Sequence, residues 1–206
     1  MNTAAPTPKT ALRSLLREWL PTAVLLLLLL AARSTLADHY HVPSGSMEPT
    51  LVPGDRVLVD KAAYGWRVPF TDHVLMGEGA PARGEVVIFD SPEDGTRLIK
   101  RVVAVGGDTV RLVAGRLEVN GVRLASGPRG EVEHFGDRAV RLGLGRGGGP
   151  DIDGLVVPEG KVLVLGDARG NSHDGRAFGL VDERVFYGRA VGVFYRRDDG
   201  FTWRPL

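Results

Sequence analysis

Residues 98–108, LIKRVVAVGGD, decide the fold. The first eight residues are apolar apart from Lys100 and Arg101, a composition typical of a buried β-strand. Gly106, Gly107 and Asp108 then predict a turn. Because alternate residues of a strand share a face, Lys100 is expected to be the one charge on an otherwise apolar face, with Arg101 pointing the other way.

Comparable patterns on both sides of this stretch predict a mainly β fold. Short apolar or alternating runs begin at 56 and occupy 85–90 and 161–165, and one or two more strands are expected within 184–195. Asn120-Gly121 between two alternating arms is a strong hairpin signal. Residues 68–82 have the composition of a loop. Residues 125–154 are glycine-rich, charged and without clear periodicity, which indicates a flexible or inserted segment.

Composition excludes several classes of function. The 206 residues include 26 basic and 25 acidic side chains, so no net charge would attract nucleic acid or anionic lipid. Cysteine is absent, which excludes disulfides, cysteine nucleophiles and cysteine-ligated zinc. The absence of cysteine does not identify the compartment, because exported proteins also lack it in many cases.

An oily segment near the N-terminus has two interpretations. Residues 19–32 carry no charge, and an extension to 37 adds only Arg33 and reaches the roughly 20 residues that span a bilayer. Three basic residues against one acid precede it, which favours a cytoplasmic N-terminus. A cleavable signal peptide, with small residues at 34–37 before the cut, fits this region equally well.

Lys100 and the pair Ser44 and Ser46 are the candidate catalytic groups. Burial lowers the pKa of an ammonium from about 10.4, and a lysine that is neutral near pH 8 can act as a general base. Ser46 is the candidate nucleophile, and its own amide with the Ser44 hydroxyl could face an oxyanion. The plain alternatives are an edge-strand lysine that reaches water and an ordinary serine-rich turn.

A histidine-based site is the main rival. A Ser-His-Asp hydrolase could use His173 or His41, but Ser46 lacks the Gly-x-Ser-x-Gly elbow of the α/β-hydrolases. His39 and His41 come nearest to metal-ligand spacing, and both are expected to be surface residues. We therefore expect no metal and no cofactor.

Four blocks together resemble the bacterial type I signal peptidases, the membrane-bound serine proteases that remove signal peptides. They occupy 44–51 (SGSMEPTL), 83–89 (RGEVVIF), 99–108 (IKRVVAVGGD) and 166–176 (GDARGNSHDGR), in the family's order. The resemblance implies a signal-peptidase-like fold of antiparallel sheets preceded by one transmembrane helix. It also implies a Ser-Lys dyad and a preference for cutting after small residues, as in Ala-x-Ala sites.

The resemblance assigns roles position by position. Ser46 corresponds to the nucleophile, Lys100 to its general base, Ser44 with the Ser46 amide to the oxyanion hole, and Ser172 to a hydroxyl that orients the lysine. The supporting ion pairs are Asp174 with Arg176 and Asp167 with Arg101. The residues that match the shallow substrate pockets are Tyr40, Val42, Leu51, Ile88, Leu98 and Ile99. Two departures are Ala168, where the family usually has asparagine, and Gly175, where it usually has serine.

The resemblance also favours a retained anchor over a cleaved leader. The implied organisation is a cytoplasmic segment at 1–18, a transmembrane anchor at 19–37 and an extracytoplasmic catalytic domain at 38–206. Within that domain the family's second β domain would be reduced, over about 110–157, to a hairpin and a loop. The implied location is the bacterial inner membrane, and the implied partners are the lipid bilayer and the signal peptides of exported preproteins.

Two other functions remain to be weighed against this one. A soluble, self-cleaving repressor uses the same Ser-Lys chemistry, but such a protein carries a DNA-binding region where this chain has an oily segment. An inactive anchored β domain that only binds exported chains or partner proteins is the second. The presence of both Ser46 and Lys100 argues against it.

Overall fold

The computed structural model describes residues 17–27, 30, 37–67, 74–76 and 79–206. Within these residues the chain is built mainly from β-strands, with 3-10 turns and one four-residue helix, α1 (Gly175–Phe178), in the part after residue 37. The strands are β1 (Ala37–His41), β2 (Arg56–Asp60), β3 (Trp66–Arg67), β4 (Val74–Met76), β5 (Val86–Asp90), β6 (Arg97–Val105), β7 (Thr109–Val113), β8 (Arg116–Val119), β9 (Val122–Arg123), β10 (Ala125–Ser126), β11 (Val132–Phe135), β12 (Arg138–Arg141), β13 (Ile152–Val156), β14 (Lys161–Leu165), β15 (Val181–Asp182), β16 (Phe186–Arg196) and β17 (Gly200–Pro205).

One large antiparallel sheet carries the site. Its strand order is β1-β2-β16-β5-β6-β14-β15, and β17 pairs with β16 off this path. Strand β6 lies inside the sheet between β5 and β14, so the stretch 98–105 is a central strand and the expectation of a mainly β antiparallel fold is confirmed. Gly107, at φ +85°, then turns the chain as predicted, because a residue without a Cβ adopts this backbone readily.

Both faces of the large sheet are covered by apolar side chains. One cluster contains Met47 and Ile99, and the opposite one contains Phe89 and Val102. A bulge in the pairing of β6 with β14 occurs between Leu163 and the next residue, so strict alternation does not continue to the end of β6. Each fully buried side chain of this size contributes about 1.5–3 kcal/mol to folding.

Two smaller sheets pack against the ends of β6 and β14. They have the orders β13-β7-β8-β9 and β10-β11-β12, and a third apolar cluster joins them to the large sheet. Asn120 and Gly121 have φ +53° and +76°, and they connect β8 to β9, which confirms the predicted hairpin.

Of the two interpretations of 125–154, flexible or inserted, the flexible one is wrong for the four strands β10 to β13. Phe135 and Val140 are buried in the third cluster, and Glu133 is fully buried. Residues 109–156 are also more extensive than the predicted hairpin and loop, since they hold all seven strands of the two smaller sheets. The glycine content hid these strands because it interrupts the alternation on which strand prediction depends.

The predicted loop at 68–82 is also partly wrong. Val74–Met76 forms β4, which pairs antiparallel with β3. Residues 68–73 and 77–78 lie outside the described residues.

The predicted anchor at 19–37 is only partly covered by the structure. Residues 17–27 are helical, whereas 1–16, 28–29 and 31–36 lie outside the described residues. Ala37, the predicted end of the anchor, is instead the first residue of β1. No helix within the described part of the chain combines the length and the apolar character needed to cross a membrane.

Candidate active site

Ser46 lies in a 3-10 turn, Gly45–Met47, that links the first block to the core. Met47 is fully buried and anchors the turn, and Ser46 is 8% exposed. A β-carbon at Gly45 would lie 2.8 Å from the Glu48 carboxylate, an exposed side chain that could move aside. The Ser46 carbonyl accepts a hydrogen bond from the Ala168 amide at 3.1 Å, which ties the turn to the fourth block.

Lys100 reaches this turn from the central strand β6. Its Nζ lies 2.7 Å from Ser46 Oγ and also donates to the Ile99 carbonyl at 3.1 Å. The residue is 3% exposed, which excludes the alternative of an edge-strand lysine in water. Burial lowers the pKa of Lys100 from 10.5 to about 8, while the more distant carboxylates of Asp174 and Asp167 oppose part of that effect.

The two other predicted serines differ in their surroundings. Ser44 is exposed and its hydroxyl lies 3.4 Å from Ser46 Oγ, on the side open to solvent. Ser172 Oγ is buried close to Asp174 and makes no hydrogen bond of good geometry with any described residue, so a bond to Lys100 is not formed in this structure.

Both predicted ion pairs are present and buried. Asp167 receives two bonds from the Arg101 guanidinium, at 2.8 and 2.7 Å, and a third from the Thr50 hydroxyl at 2.5 Å. Asp174 receives bonds from Arg176 and, at 2.9 Å, from the Gly166 amide. Burial alone would raise the pKa of Asp174, but these donors outweigh it and lower the pKa below 3.8.

Ala168 and Gly175, the two departures from the family pattern, both lie in closely packed surroundings. Ala168 is buried, and its amide already bonds to the Ser46 carbonyl, so the smaller side chain leaves that link intact. A β-carbon on Gly175 would lie 2.8 Å from both the Val164 carbonyl oxygen and a Leu163 methyl group. Serine at 175 would therefore require a shift of β14 in this chain.

The predicted pocket residues do not form one group. Five of them belong to the cluster around Met47, and these are Tyr40, Val42, Leu51, Ile88 and Ile99. Leu98 instead packs with the cluster on the opposite face of the sheet. Only Tyr40 and Leu98 are partly exposed, so any pocket here is shallow.

The predicted rival, a histidine base, is not supported by the geometry. His173 Nε2 lies 2.7 Å from Glu93, on the surface, and its ring packs edge-on against Phe178. His41 is exposed at the end of β1. The group next to Ser46 Oγ is the Lys100 amine.

Comparison with known proteins identifies the family of this chain. The family model described as "Signal peptidase, peptidase S26" matches residues 16–195, most of the chain. The chain belongs to this signal peptidase family.

Named members of the family cover most of the same residues. A signal peptidase I from Pseudomonas aeruginosa is 35% identical over 198 residues, which is 82% of this chain and 68% of that protein. A signal peptidase I from Bacillus licheniformis is 32% identical, over 86% of this chain and 88% of that protein. A crystal structure of a signal peptidase I from Enterococcus faecalis V583 aligns with a TM-score of 0.41 at 30% identity, over 53% of this chain and 95% of that one. The family model and the named relatives show that this chain is a peptidase of the signal peptidase I type.

Three residues around the active site were not predicted from the sequence. Thr50 stood inside the first block, but its bond to Asp167 depends on a partner 117 positions away. Arg169 lies inside the fourth block and forms a fully buried ion pair with Glu133, which lies outside all four blocks. The sequence gives little sign of that pair, because Arg169 stands among small and polar residues and Glu133 stands between Val132 and His134.

Proposed function

We propose that this chain is an endopeptidase that removes N-terminal signal peptides from exported preproteins through a Ser46–Lys100 dyad. The observation that carries the proposal is the 2.7 Å contact between Ser46 Oγ and a buried amine whose pKa is about 8. A neutral amine at that distance is a competent proton acceptor for the hydroxyl.

In the proposed reaction Lys100 accepts and gives up a proton twice, once while the acyl-enzyme forms and once while it is hydrolysed. Neutral Lys100 accepts the Ser46 proton as Oγ attacks the carbonyl carbon of the scissile bond. The resulting ammonium gives that proton to the leaving amine, and the acyl group stays on Ser46 as an ester. Lys100 then takes a proton from water, the hydroxide attacks the ester, and the ammonium returns the proton to Ser46.

The oxyanion formed in each cycle requires donors that are already in place. We assign the exposed Ser44 hydroxyl and the Ser46 amide to this role, because Ser44 lies 3.4 Å from Ser46 Oγ on the open side of the turn. Removal of one such donor costs about 100- to 1000-fold in kcat in other serine proteases.

The preference for small residues follows from the shallow apolar surface. Val42, Leu51, Ile88 and Ile99 are each at most 3% exposed, so little free volume remains between them for a substrate side chain. Alanine at the cleaved position and two residues before it fits such a surface, whereas a larger side chain would have to displace packed core residues.

The proposal includes the location of the enzyme at the membrane. Ser46 follows Ala32 by 14 residues, so an anchor retained from residue 19 up to the start of β1 at Ala37 would hold the dyad just outside the bilayer, where a preprotein presents its cut site. We assign 1–18 to the cytoplasm and 38–206 to the extracytoplasmic side of the bacterial inner membrane.

The test is cleavage of a panel of preproteins by isolated membranes, with cut sites determined by mass spectrometry. Wild-type protein should cut after Ala-x-Ala, and Ser46→Ala and Lys100→Met should each abolish cutting. Ser44→Ala should lower kcat but leave residual activity. Full cleavage by Lys100→Met would overturn the dyad, and the absence of cleavage by folded wild-type protein would return the chain to a binding role.

A further inference from the structure

Arg169 and Glu133 form a buried connection between the smaller sheets and the catalytic region. The two side chains are 1% and 0% exposed, and the Arg169 guanidinium pairs with both carboxylate oxygens of Glu133, one of them at 2.8 Å. The same guanidinium donates to the Gly115 carbonyl at the β7–β8 turn. Glu133 also accepts the Leu117 amide at 3.0 Å. All of these partners of Arg169 belong to the smaller sheets.

The other contacts of Arg169 lie on the catalytic side. Its Nε donates to the Gly166 carbonyl at 3.3 Å, and its own carbonyl accepts from Arg176 at 2.6 Å. Arg176 in turn pairs with Asp174. Arg169 therefore fixes both ends of the loop that contains Ser172.

Gly166 forms the floor beneath the proposed dyad. A β-carbon on this residue would lie 2.2 Å from Ser172 Oγ and 2.4 Å from the Ser46 carbonyl oxygen. A small displacement of Gly166 would therefore move the Ser46 turn, on which the distance to Lys100 depends.

A contribution to folding stability does not by itself explain the buried Arg169–Glu133 ion pair. Replacement of a fully buried ion pair by apolar residues of similar volume is often neutral or stabilising, because burial removes both charges from water. A planar guanidinium with acceptors on two sides supplies instead a fixed geometry.

We propose that Arg169 and Glu133 are positioning residues through which the smaller sheets hold the floor of the Ser46–Lys100 site. The inference rests on the proposed function. It assigns residues 109–156 a part in catalysis that does not involve contact with substrate.

The test is the double variant Arg169→Met/Glu133→Met in the full chain, with a peptide that contains an Ala-x-Ala site as the substrate. Both charges are removed together, so neither is left buried alone. At a midpoint of urea unfolding equal to that of the wild type, kcat should fall about 10- to 100-fold, because misplacement of reacting groups by about 1 Å costs this much. KM should change less than about threefold, since neither residue faces the substrate.

The pH profile separates positioning from packing. A looser floor admits water around Lys100 and reduces its desolvation, so the midpoint of kcat/KM against pH should rise above the wild-type midpoint. The control Arg111→Met/Asp153→Met removes an exposed pair, 58% and 92% accessible, from the same small sheets and should change neither quantity. A double variant with wild-type stability, kcat and midpoint would overturn the inference.

Two further variants keep the result decisive. If the double variant does not fold, Arg169→Lys takes its place. Lysine keeps the positive charge but lacks the planar guanidinium that bonds to Glu133 on one side and to the Gly166 carbonyl on the other. The same fall in kcat and rise of the midpoint are then expected, and wild-type values contradict the inference. Ser46→Ala is measured in parallel. If Ser46→Ala retains activity, the proposed dyad is wrong. If Ser46→Ala is inactive while Arg169→Lys or the double variant is fully active, only the positioning role is rejected.

Discussion

Replacement of Lys100 by methionine should make the protein more stable as it removes activity. The pKa of Lys100 is 10.5 when exposed and about 8 in the fold. A tenfold change in an equilibrium is about 1.4 kcal/mol, so burial of the ammonium costs the folded state about 3 kcal/mol. Methionine has a similar shape and carries no charge, which removes this cost at the price of the general base.

The size of the effect depends on pH. Below pH 8 Lys100 is protonated in both the folded and unfolded states, so the full cost is present. Between pH 8 and 10.5 the folded state has lost the proton and the unfolded state keeps it, so wild-type stability rises with pH through this contribution. The stability advantage of Lys100→Met should therefore fall by about 2.5 kcal/mol between pH 7 and pH 10.

Urea unfolding followed by circular dichroism measures this difference at both pH values. Lys161→Met is the matched control, because the Lys161 side chain is 43% exposed beside Asp182 and should show no comparable change. A stability difference between Lys100→Met and wild type that is the same at pH 7 and pH 10 would refute the argument, because it would mean that the folded protein does not desolvate this amine.

Three further outcomes are expected. The wild-type kcat/KM should rise with pH to a plateau with a midpoint near 8, since only neutral Lys100 accepts the serine proton; a profile that is flat from pH 6 to 10 would contradict a lysine base. Gly166→Ala should lower kcat at least about 100-fold because the new carbon would crowd the site, whereas Gly145→Ala, with open space around it, should be fully active in the same peptide assay. Gly175→Ser should lower the free energy of unfolding by about 1–3 kcal/mol, because the new side chain would press against β14. An unchanged urea midpoint would contradict this and show that β14 moves aside at no cost.

Local pattern was enough to predict five strands of the large sheet, β2, β5, β6, β14 and β16, but not the short or peripheral strands β1, β15 and β17. The apolar run at 85–90 and the alternation at 56–60 became β5 and β2 because side-chain period and burial agree along them. Ser46 and Lys100 were also recognisable, since each lies in a short block with its own signature. The burial of Lys100 was not, because a lysine head on an edge strand and one inside a sheet have the same sequence.

Long-range polar contacts were beyond sequence reasoning. Glu133 and Arg169 are 36 positions apart, and the glycines between them hid the strands that bring the two together. The pocket residues show the same limit. Leu98 and Ile99 are neighbours in the chain, yet a strand sends them to opposite faces of the sheet, so one block cannot supply a single pocket from both.

The glycine-rich segment 143–149 has a practical use for experiments. Gly143 and Gly149 approach the catalytic region so closely that a side chain would meet backbone atoms at 2.8 Å, whereas Gly145 between them is exposed with nothing within 4 Å. The chain has no cysteine, so Gly145→Cys would create its single thiol. A fluorophore or spin label attached there would lie a few residues from the contacts with Ala168 and Arg176, where it would report on movement of the active-site floor during turnover.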